Sequence, residues 1–282
     1  MSLAPVAVFA HRRSGELSTC LSALERNLLA DRSNVTIFVD GARTAEEESE
    51  VLATYQVASA DWRFGSTTVR QSDTNRGLRR SVVSGVSEIL GDHTEIVVLE
   101  DDTIPSPGFL LFMNENLGLY SESREVQAIS GFSYFKSRRL AETYFMPFSE
   151  TWGWGTWRDL WFNTNFDTQK SLADLEHITD GVRGAIIDAA SVRGMLSGQI
   201  AGTIDSWGVD WLADGLSKGL VTLYPNGSLI ENIGHYNGTH TARKRHARKW
   251  DRIETREFVL DNGLRDTAIC EEATRRLIRF LS

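Results

Sequence analysis

An acidic triplet, Glu100-Asp101-Asp102, directly follows the apolar run 96–99 and is the part of the sequence best suited to chemistry. The run is short and rich in β-branched residues, which predicts a buried strand ending at the triplet. Ligands bind outside the carboxyl ends of strands in open α/β sheets, and adjacent carboxylates repel one another unless a cation neutralises them. The triplet therefore predicts a site where Mg²⁺ or Mn²⁺ meets phosphate oxygens. A solvated acidic turn after a buried strand remains the alternative.

Polar side chains also follow two other predicted strands. His11-Arg12-Arg13 comes after the run 6–10, and a guanidinium fork matches the paired oxygens of a diphosphate. A surface arginine pair that precedes a helix is the alternative. Asp40 ends the run 35–39, where its carboxylate could accept hydrogen bonds from a base or a ribose. These two strand ends add candidate contacts for a diphosphate and a nucleoside.

Short β-rich runs alternate with helix-period segments through the first half of the chain, which is the pattern of crossover units around a mostly parallel sheet. The segment 14–30 predicts a helix because apolar residues recur there at steps of three and four: Leu17, Cys20, Leu21, Leu24 and Leu28. Further elements are expected as a strand over 68–71, a helix over 77–90, a helix from Ser106 and Pro107 to Tyr120, a helix around Trp207 and a strand over 220–224.

Composition and absent motifs exclude several functions. The 282 residues are 41% hydrophobic and carry 38 acidic against 30 basic side chains, a net charge of -8, which does not suit a protein that coats nucleic acid. Cys20 and Cys270 form no metal or disulfide pattern, and no apolar run is long enough to span a bilayer, so a soluble cytoplasmic protein is expected. The signatures of dinucleotide oxidoreductases, P-loop hydrolases and zinc proteases are missing.

Taken in order, the motifs resemble those of nucleotide-sugar glycosyltransferases of the GT-A fold, in particular the N-acetylglucosaminyltransferase I-like group and related bacterial glycosyltransferases. The resemblance covers residues 4–241. It rests on these segments: His11-Arg12-Arg13, Phe38-Val39-Asp40-Gly41, Asn75-Arg76-Gly77-Leu78, Val97-Val98-Leu99-Glu100-Asp101-Asp102, Trp152-Gly153-Trp154-Gly155-Thr156-Trp157, Ser206-Trp207-Gly208-Val209-Asp210-Trp211, and Asn232-Ile233-Gly234 with His240-Thr241.

The resemblance implies an α/β, Rossmann-like fold with a mixed, mostly parallel sheet flanked by helices in one continuous domain over 1–282. A nucleotide-sugar-binding half would cover about 1–125, an acceptor-binding half about 126–250, and a helical tail 251–282. The implied activity is metal-dependent transfer of a sugar from a nucleoside diphosphate donor, expected to be a UDP-sugar, to a hydroxyl of a glycan or glycolipid, with inversion. Synthesis of a bacterial surface polysaccharide is the expected setting.

Residue roles on the donor side also follow from the resemblance. Asp102 would ligate Mn²⁺ or Mg²⁺ through its DXD-like motif, with Glu100 and Asp101 holding the ribose and the surroundings of the metal. Arg12 would face the diphosphate and Asp40 the base. Arg76 completes the implied donor-binding set.

On the acceptor side, the resemblance places the catalytic base at Asp210, with Asp205 in reserve. His240 is either a ligand of the metal or diphosphate, or a surface histidine beside the basic cluster 243–249, which in turn is either a lid or a solvated segment. The four close tryptophans at 152–161 are either core residues or, as the interleaved glycines suggest, partly a pocket whose rings stack on a sugar, with Trp154 nearest the ligand. A mixture is expected, and the acceptor pocket is expected to contain Trp154, Trp207 and Trp211.

Two other functions stay open from the sequence. A sugar-phosphate nucleotidyltransferase shares the α/β architecture and metal use, although such enzymes carry a glycine-rich basic loop where this chain has only Gly15. A non-catalytic carbohydrate-binding protein would account for the aromatic cluster and would leave the acidic triplet without a role.

Overall fold

A computed structural model of the chain describes residues 3–234 and 266–282. Eight strands form one sheet in the order β3-β2-β1-β4-β8-β6-β9-β7, and two further strands, β5 and β10, pair beside it. The described strands are β1 (Val6–Ala10), β2 (Asn34–Val39), β3 (Ser66–Gln71), β4 (Glu95–Glu100), β5 (Thr103–Pro105), β6 (Val126–Ser130), β7 (Thr143–Met146), β8 (Trp154–Trp157), β9 (Val221–Pro225) and β10 (Ile230–Asn232).

Helices cover the sheet and connect its strands. The described helices are α1 (Ser14–Glu25), α2 (Glu48–Ala58), α3 (Leu78–Asp92), α4 (Phe109–Leu119), α5 (Arg158–Phe162), α6 (Thr168–Leu175), α7 (Gly181–Ala189), α8 (Val192–Ile200), α9 (Trp207–Lys218) and α10 (Glu271–Leu281). None of them is both long and apolar enough to cross a bilayer.

Strand direction confirms the expected mixed, mostly parallel α/β sheet. The strands β3, β2, β1 and β4 are mutually parallel. The strand β8 runs antiparallel between β4 and β6, which restores the direction of β4 in β6 and β9, and β7 is antiparallel at the edge. The carboxyl ends of β1, β2, β4, β6 and β9 therefore meet at one edge of the sheet.

Alternating side chains of the central strands build a core on each face of the sheet. Val6 and Val8 of β1 pack with α1 and α4 on one face, while Ala7 and Phe9 pack with α3 and the tryptophans on the other. A third cluster joins α7, α8 and α9 to β7, and the C-terminal helix α10 adds Leu277 to it. Burial on both faces explains why β1 and the four central residues of β4 are apolar rather than alternating.

Two expected helix ends were wrong. The helix expected over 14–30 ends at Glu25, and Leu28 is exposed, because the Asn27 amide bonds Ala23 and Leu110 while Leu29 adopts a left-handed backbone. Ser106 and Pro107 do not open the following helix, which begins at Phe109. The Ser106 N–H donates to the Leu229 carbonyl instead, which keeps this stretch extended beside β10.

Candidate functional site

The acidic triplet lies where the sequence predicts it, at the carboxyl end of β4. The Asp101 N–H donates to the Phe9 carbonyl of β1, which extends the ladder by one residue. The Thr103 hydroxyl then accepts from the Glu100 N–H at 3.0 Å and donates to the Glu100 carbonyl at 2.7 Å. These bonds close a tight turn that holds the three carboxyl groups between β4 and β5.

Arg13, not Arg12, reaches this turn. Its guanidinium spans both carboxylates: Nε and Nη2 bond the two oxygens of Asp101, and Nη1 lies 2.8 Å from Oδ2 of Asp102. Arg12 points away and pairs with Glu47 at 3.2 Å and Glu50 at 3.3 Å on the exposed side of α2. The diphosphate role predicted for Arg12 therefore does not fit its placement.

Charge and burial at the turn work against each other. Burial, with repulsion from Asp102 and Asp101, raises the pKa of Glu100 to about 8, and no described group donates a hydrogen bond to its carboxylate. Burial also raises the pKa of Asp101, against the opposing charge of Arg13. Burial alone would lower the pKa of Arg13, but the two aspartates raise it above its ordinary value. Glu100 therefore favours its protonated form at neutral pH, while Arg13 is the counter-charge of the two aspartates.

Asp102 fits a hard divalent cation. Its Oδ2 pairs with Arg13, whereas its Oδ1 has no hydrogen bond or ion pair with the described residues. Gly234 packs directly against this carboxylate, so closely that a Cβ there would overlap Oδ2. The described residues contain no group of three or more metal-ligating side chains. A cation here would accordingly share Asp102 with phosphate oxygens, as Mg²⁺ and Mn²⁺ commonly do.

Asp101 is almost fully buried, and both of its oxygens face Arg13. The part of its predicted role that involves ribose contact does not fit this burial, whereas a role in holding the surroundings of the metal does. His240, the other predicted metal ligand, and the basic cluster 243–249 lie outside the described residues.

Asp40 lies at the end of β2, as predicted, and clamps a neighbouring loop. Its two carboxylate oxygens accept from the backbone N–H groups of Gly41, Arg76 and Gly77 and from the Asn75 amide, at 2.9–3.1 Å. Arg76 itself is exposed, and its guanidinium has no ion-pair partner within the described ranges. Both oxygens of the Asp40 carboxylate thus already accept hydrogen bonds, mainly from the loop that carries Arg76.

Asp210 lies in the first turn of α9 and faces Arg79 in the first turn of α3. It has no exposed surface and is ion-paired with Arg79, with further bonds from Gln199 at 2.7 Å and Thr168 at 3.2 Å. A general base must reach the acceptor hydroxyl, so the predicted catalytic role does not fit this placement. Asp205, the reserve, is exposed and lies beside Gly77.

The three tryptophans predicted to bind the acceptor are core residues. Trp154, Trp207 and Trp211 are at most 2% exposed, and their rings pack against one another and against Trp161 with centroids 5.0–6.1 Å apart. No ring face is left for a sugar, so the acceptor-binding role predicted for these rings does not fit their placement. Among neighbouring indoles, Trp152 is only half-buried.

Sequence reasoning missed two neighbouring residues on the other side of β4, Glu150 and Tyr134. Glu150 is a half-buried carboxylate that accepts a hydrogen bond from the Tyr134 hydroxyl. Burial raises the pKa of Glu150 above its ordinary value. The signal available in the sequence was an isolated acidic residue immediately before the run of tryptophans and glycines.

Comparisons with known proteins found distant likenesses among solved structures. No protein-family model and no curated protein matches the chain. Among solved structures, an active-site mutant of LgtC shares 13% identity at a TM-score of 0.41, over 77% of this chain and 72% of that one. The galactosyltransferase LgtC in complex with donor and acceptor sugar analogs shares 10% at 0.40, over 89% and 96%. S. aureus TarS shares 11% at 0.31, over 49% and 22%. These TM-scores are too low for the likenesses to indicate a function.

Proposed function

We propose that this protein is a metal-dependent glycosyltransferase that moves a sugar from a nucleoside diphosphate donor, a UDP-sugar, to a hydroxyl of a glycan or glycolipid with inversion. One observation carries the proposal: Arg13 spans Asp101 and Asp102 at the carboxyl end of β4, while Oδ1 of Asp102 has no partner among residues 3–234 and 266–282. A fixed cation beside an open carboxylate suits a metal-bound diphosphate.

The N-terminus of α1 supports a diphosphate at this position. Arg13 is its N-cap residue, and no described side chain caps the helix. The first N–H groups of a helix and its dipole favour a bound anion, so α1 and the Arg13 guanidinium would act on the same phosphate groups. We assign the diphosphate to this point, with Arg13 in the role that the sequence analysis expected of Arg12.

In the reaction, Asp102 would hold Mn²⁺ or Mg²⁺, which supplies positive charge to the departing diphosphate. Arg13 adds a second positive charge that is already oriented by Asp101 and needs no rearrangement as the leaving group departs. Asp40 would shape the nucleoside pocket through residues 75–77, and Arg76 would extend from that loop toward the donor. Glu100 would face the ribose.

A thermal-shift screen of UDP, GDP, CDP and dTDP, with and without Mn²⁺, tests this function. One nucleotide should stabilise the protein only with Mn²⁺, by about 2.7 kcal/mol at 100 times its dissociation constant. The matching sugar nucleotide should then release that nucleoside diphosphate. Stabilisation by no nucleotide would contradict the proposal. Pyrophosphate release from a nucleoside triphosphate and a sugar phosphate would instead identify a nucleotidyltransferase.

A further inference from the structure

The sheet order separates two sides of the acidic turn. Arg13 approaches the end of β4 from the side of β1, which pairs with β4 directly. On its other side β4 pairs with β8, whose first residue Trp154 lies opposite Val98, so the chain just before β8 emerges at the same edge as the acidic triplet. Residues that precede Trp154 therefore face the turn from the side opposite Arg13.

Glu150 lies in that preceding segment and is held firmly. One oxygen accepts from the Tyr134 hydroxyl, and the other accepts from the Thr151 N–H at 2.9 Å. The Glu150 N–H donates to the Tyr224 hydroxyl at 3.2 Å, and that hydroxyl donates to the Phe148 carbonyl at 2.6 Å. Both oxygens keep a second lone pair, and no arginine, lysine or histidine in the described chain pairs with this carboxylate.

This segment lies beside the end of β4. A Cβ on Gly153 would lie 3.3 Å from the side chain of Leu99, the residue before Glu100, and closer still to Ile230. The Gly153 carbonyl accepts from the Gly131 N–H, just after β6, at 2.7 Å. The negative charge of Glu150 is also among those that act on Glu100. Glu150 thus lies within electrostatic reach of the triplet, although fifty residues separate them in sequence.

We propose that Glu150 is the general base of the transferase, a role that rests on the glycosyltransferase function proposed above. The acceptor O–H bond breaks and its proton passes to a carboxylate oxygen of Glu150. The acceptor oxygen forms the new bond to the anomeric carbon, while the bond to the diphosphate breaks and its electron pair leaves with the diphosphate. Placement of Glu150 and Arg13 on opposite sides of the turn matches attack opposite to the leaving group, which inverts the anomeric carbon.

Aromatic rings beside Glu150 offer the acceptor a surface. The half-buried Trp152 ring packs edge-on against Phe132, with ring centroids 4.8 Å apart. The centroids of Phe132 and Tyr134 are 5.1 Å apart. Phe280 of α10 contacts Tyr134 at 5.4 Å, so the C-terminal helix buttresses the hydroxyl that holds Glu150. A half-buried indole next to a carboxylate is a suitable surface for an acceptor sugar.

The test compares turnover with nucleotide binding in Glu150→Gln, which keeps the size and an acceptor oxygen but cannot take a proton. UDP release is measured from UDP-glucose, UDP-galactose and UDP-N-acetylglucosamine with Mn²⁺, with water and octyl glucoside as acceptors, and UDP affinity is measured by calorimetry. We expect the rate to fall by about 100-fold or more while UDP affinity stays within about twofold of the native value. Glu115→Gln, exposed on α4, is the matched control and should keep the native rate.

Three other results would overturn the assignment of Glu150 as the general base. A folded Glu150→Gln protein with a near-native rate would place the base elsewhere and leave the glycosyltransferase function standing. Loss of UDP affinity in parallel with the rate would make Glu150 a structural residue. Failure of the native protein to bind UDP with Mn²⁺ would remove both proposals. If Glu150→Gln does not fold, Glu150→Asp decides, because its withdrawn carboxylate should give an intermediate rate and a native rate would contradict the proposal.

Discussion

Single side chains at the end of β4 hold charges that depend on one another. Arg13 is the sole described cation in contact with Asp101 and Asp102, and Glu100 beside them has no hydrogen-bond donor among the described residues. The sequence predicted correctly that the three carboxyl groups lie at the end of a strand, because the apolar run before them determines where the strand ends. It could not choose between Arg12 and Arg13, because these adjacent residues before α1 differ in the direction that the local backbone gives to their side chains.

Replacing Arg13 should destabilise the protein. Arg13→Ala leaves the buried Asp101 carboxylate without its partner, and loss of one member of a buried ion pair costs about 3–5 kcal/mol. Since the Arg13 side chain keeps 29% of its exposure, we expect about 2 kcal/mol in urea unfolding. Arg12→Ala is the control and should cost no more than about 0.5 kcal/mol, because the Arg12 side chain is exposed. Equal effects of the two variants would contradict the assignment of Arg13.

Stability without metal should fall as pH rises. The folded-state pKa of Glu100 is about 8, above its ordinary value near 4.5, so the folded protein binds this proton more tightly than the unfolded chain does. The contribution is complete below about pH 4.5 and is lost as pH rises through about 8. After EDTA treatment, the Tm should decline across this window, and Glu100→Gln should reduce the decline. The control Glu122→Gln, at an exposed position, should leave the decline of Tm unchanged. An identical decline in native protein and Glu100→Gln would contradict this.

Elements of the second half show where sequence patterns fail. The strand β8 has only four residues, all buried, and places two small residues between two tryptophans, so neither a helical nor an alternating period is visible. Gly155 in it has no room for a side chain, since a Cβ would lie 2.8 Å from the Ile96 carbonyl oxygen of β4. The sequence analysis expected Trp154, together with Trp207 and Trp211, in an acceptor pocket. Close packing between β8, α5 and α9 uses them as core instead.

The helix α9 gives a prediction at this scale. Asp210 joins α9 to α3 through Arg79, so Asp210→Asn should cost about 3 kcal/mol in urea unfolding by leaving the Arg79 charge poorly paired. The exposed Asp205, five residues earlier, is the control, and Asp205→Asn should change stability by at most about 0.5 kcal/mol. An Asp210→Asn protein that is as stable as the native one but inactive would restore the catalytic role that the sequence suggested.

Over the whole molecule, one sheet joins the two halves that the sequence distinguishes. The strands of the expected donor half, β1 to β4, continue through β8 into β6, β9 and β7 of the expected acceptor half. The acidic turn at the end of β4 lies at this junction, with Arg13 on one side and Glu150 on the other. The sequence predicted a single domain and a strand-end site, but an antiparallel β8 inserted between β4 and β6 depends on pairings distant in sequence.

A continuous sheet predicts cooperative unfolding of the described part of the chain. Most described tryptophans lie after residue 150, whereas helix content is spread over both halves. Unfolding by urea should therefore give the same midpoint by tryptophan fluorescence and by far-UV circular dichroism, as expected for a two-state transition. Trp62→Phe, which removes the one described tryptophan of the first half, should leave the two curves coincident. Separate midpoints would show that the halves unfold independently.

Release of UDP from a UDP-sugar in the presence of Mn²⁺ is the measurement that tests the central claim most directly. The native protein and Asp92→Asn, an exposed control at the end of α3, should both release UDP, and chelation of the metal should stop the release. Asp102→Asn should fold normally and lose at least about 100-fold in rate, since even outer-shell partners of a metal cost about 10- to 100-fold when removed. A folded Asp102→Asn protein that releases UDP at the native rate, or a native rate unaffected by chelation, would contradict a metal–diphosphate site at the end of β4.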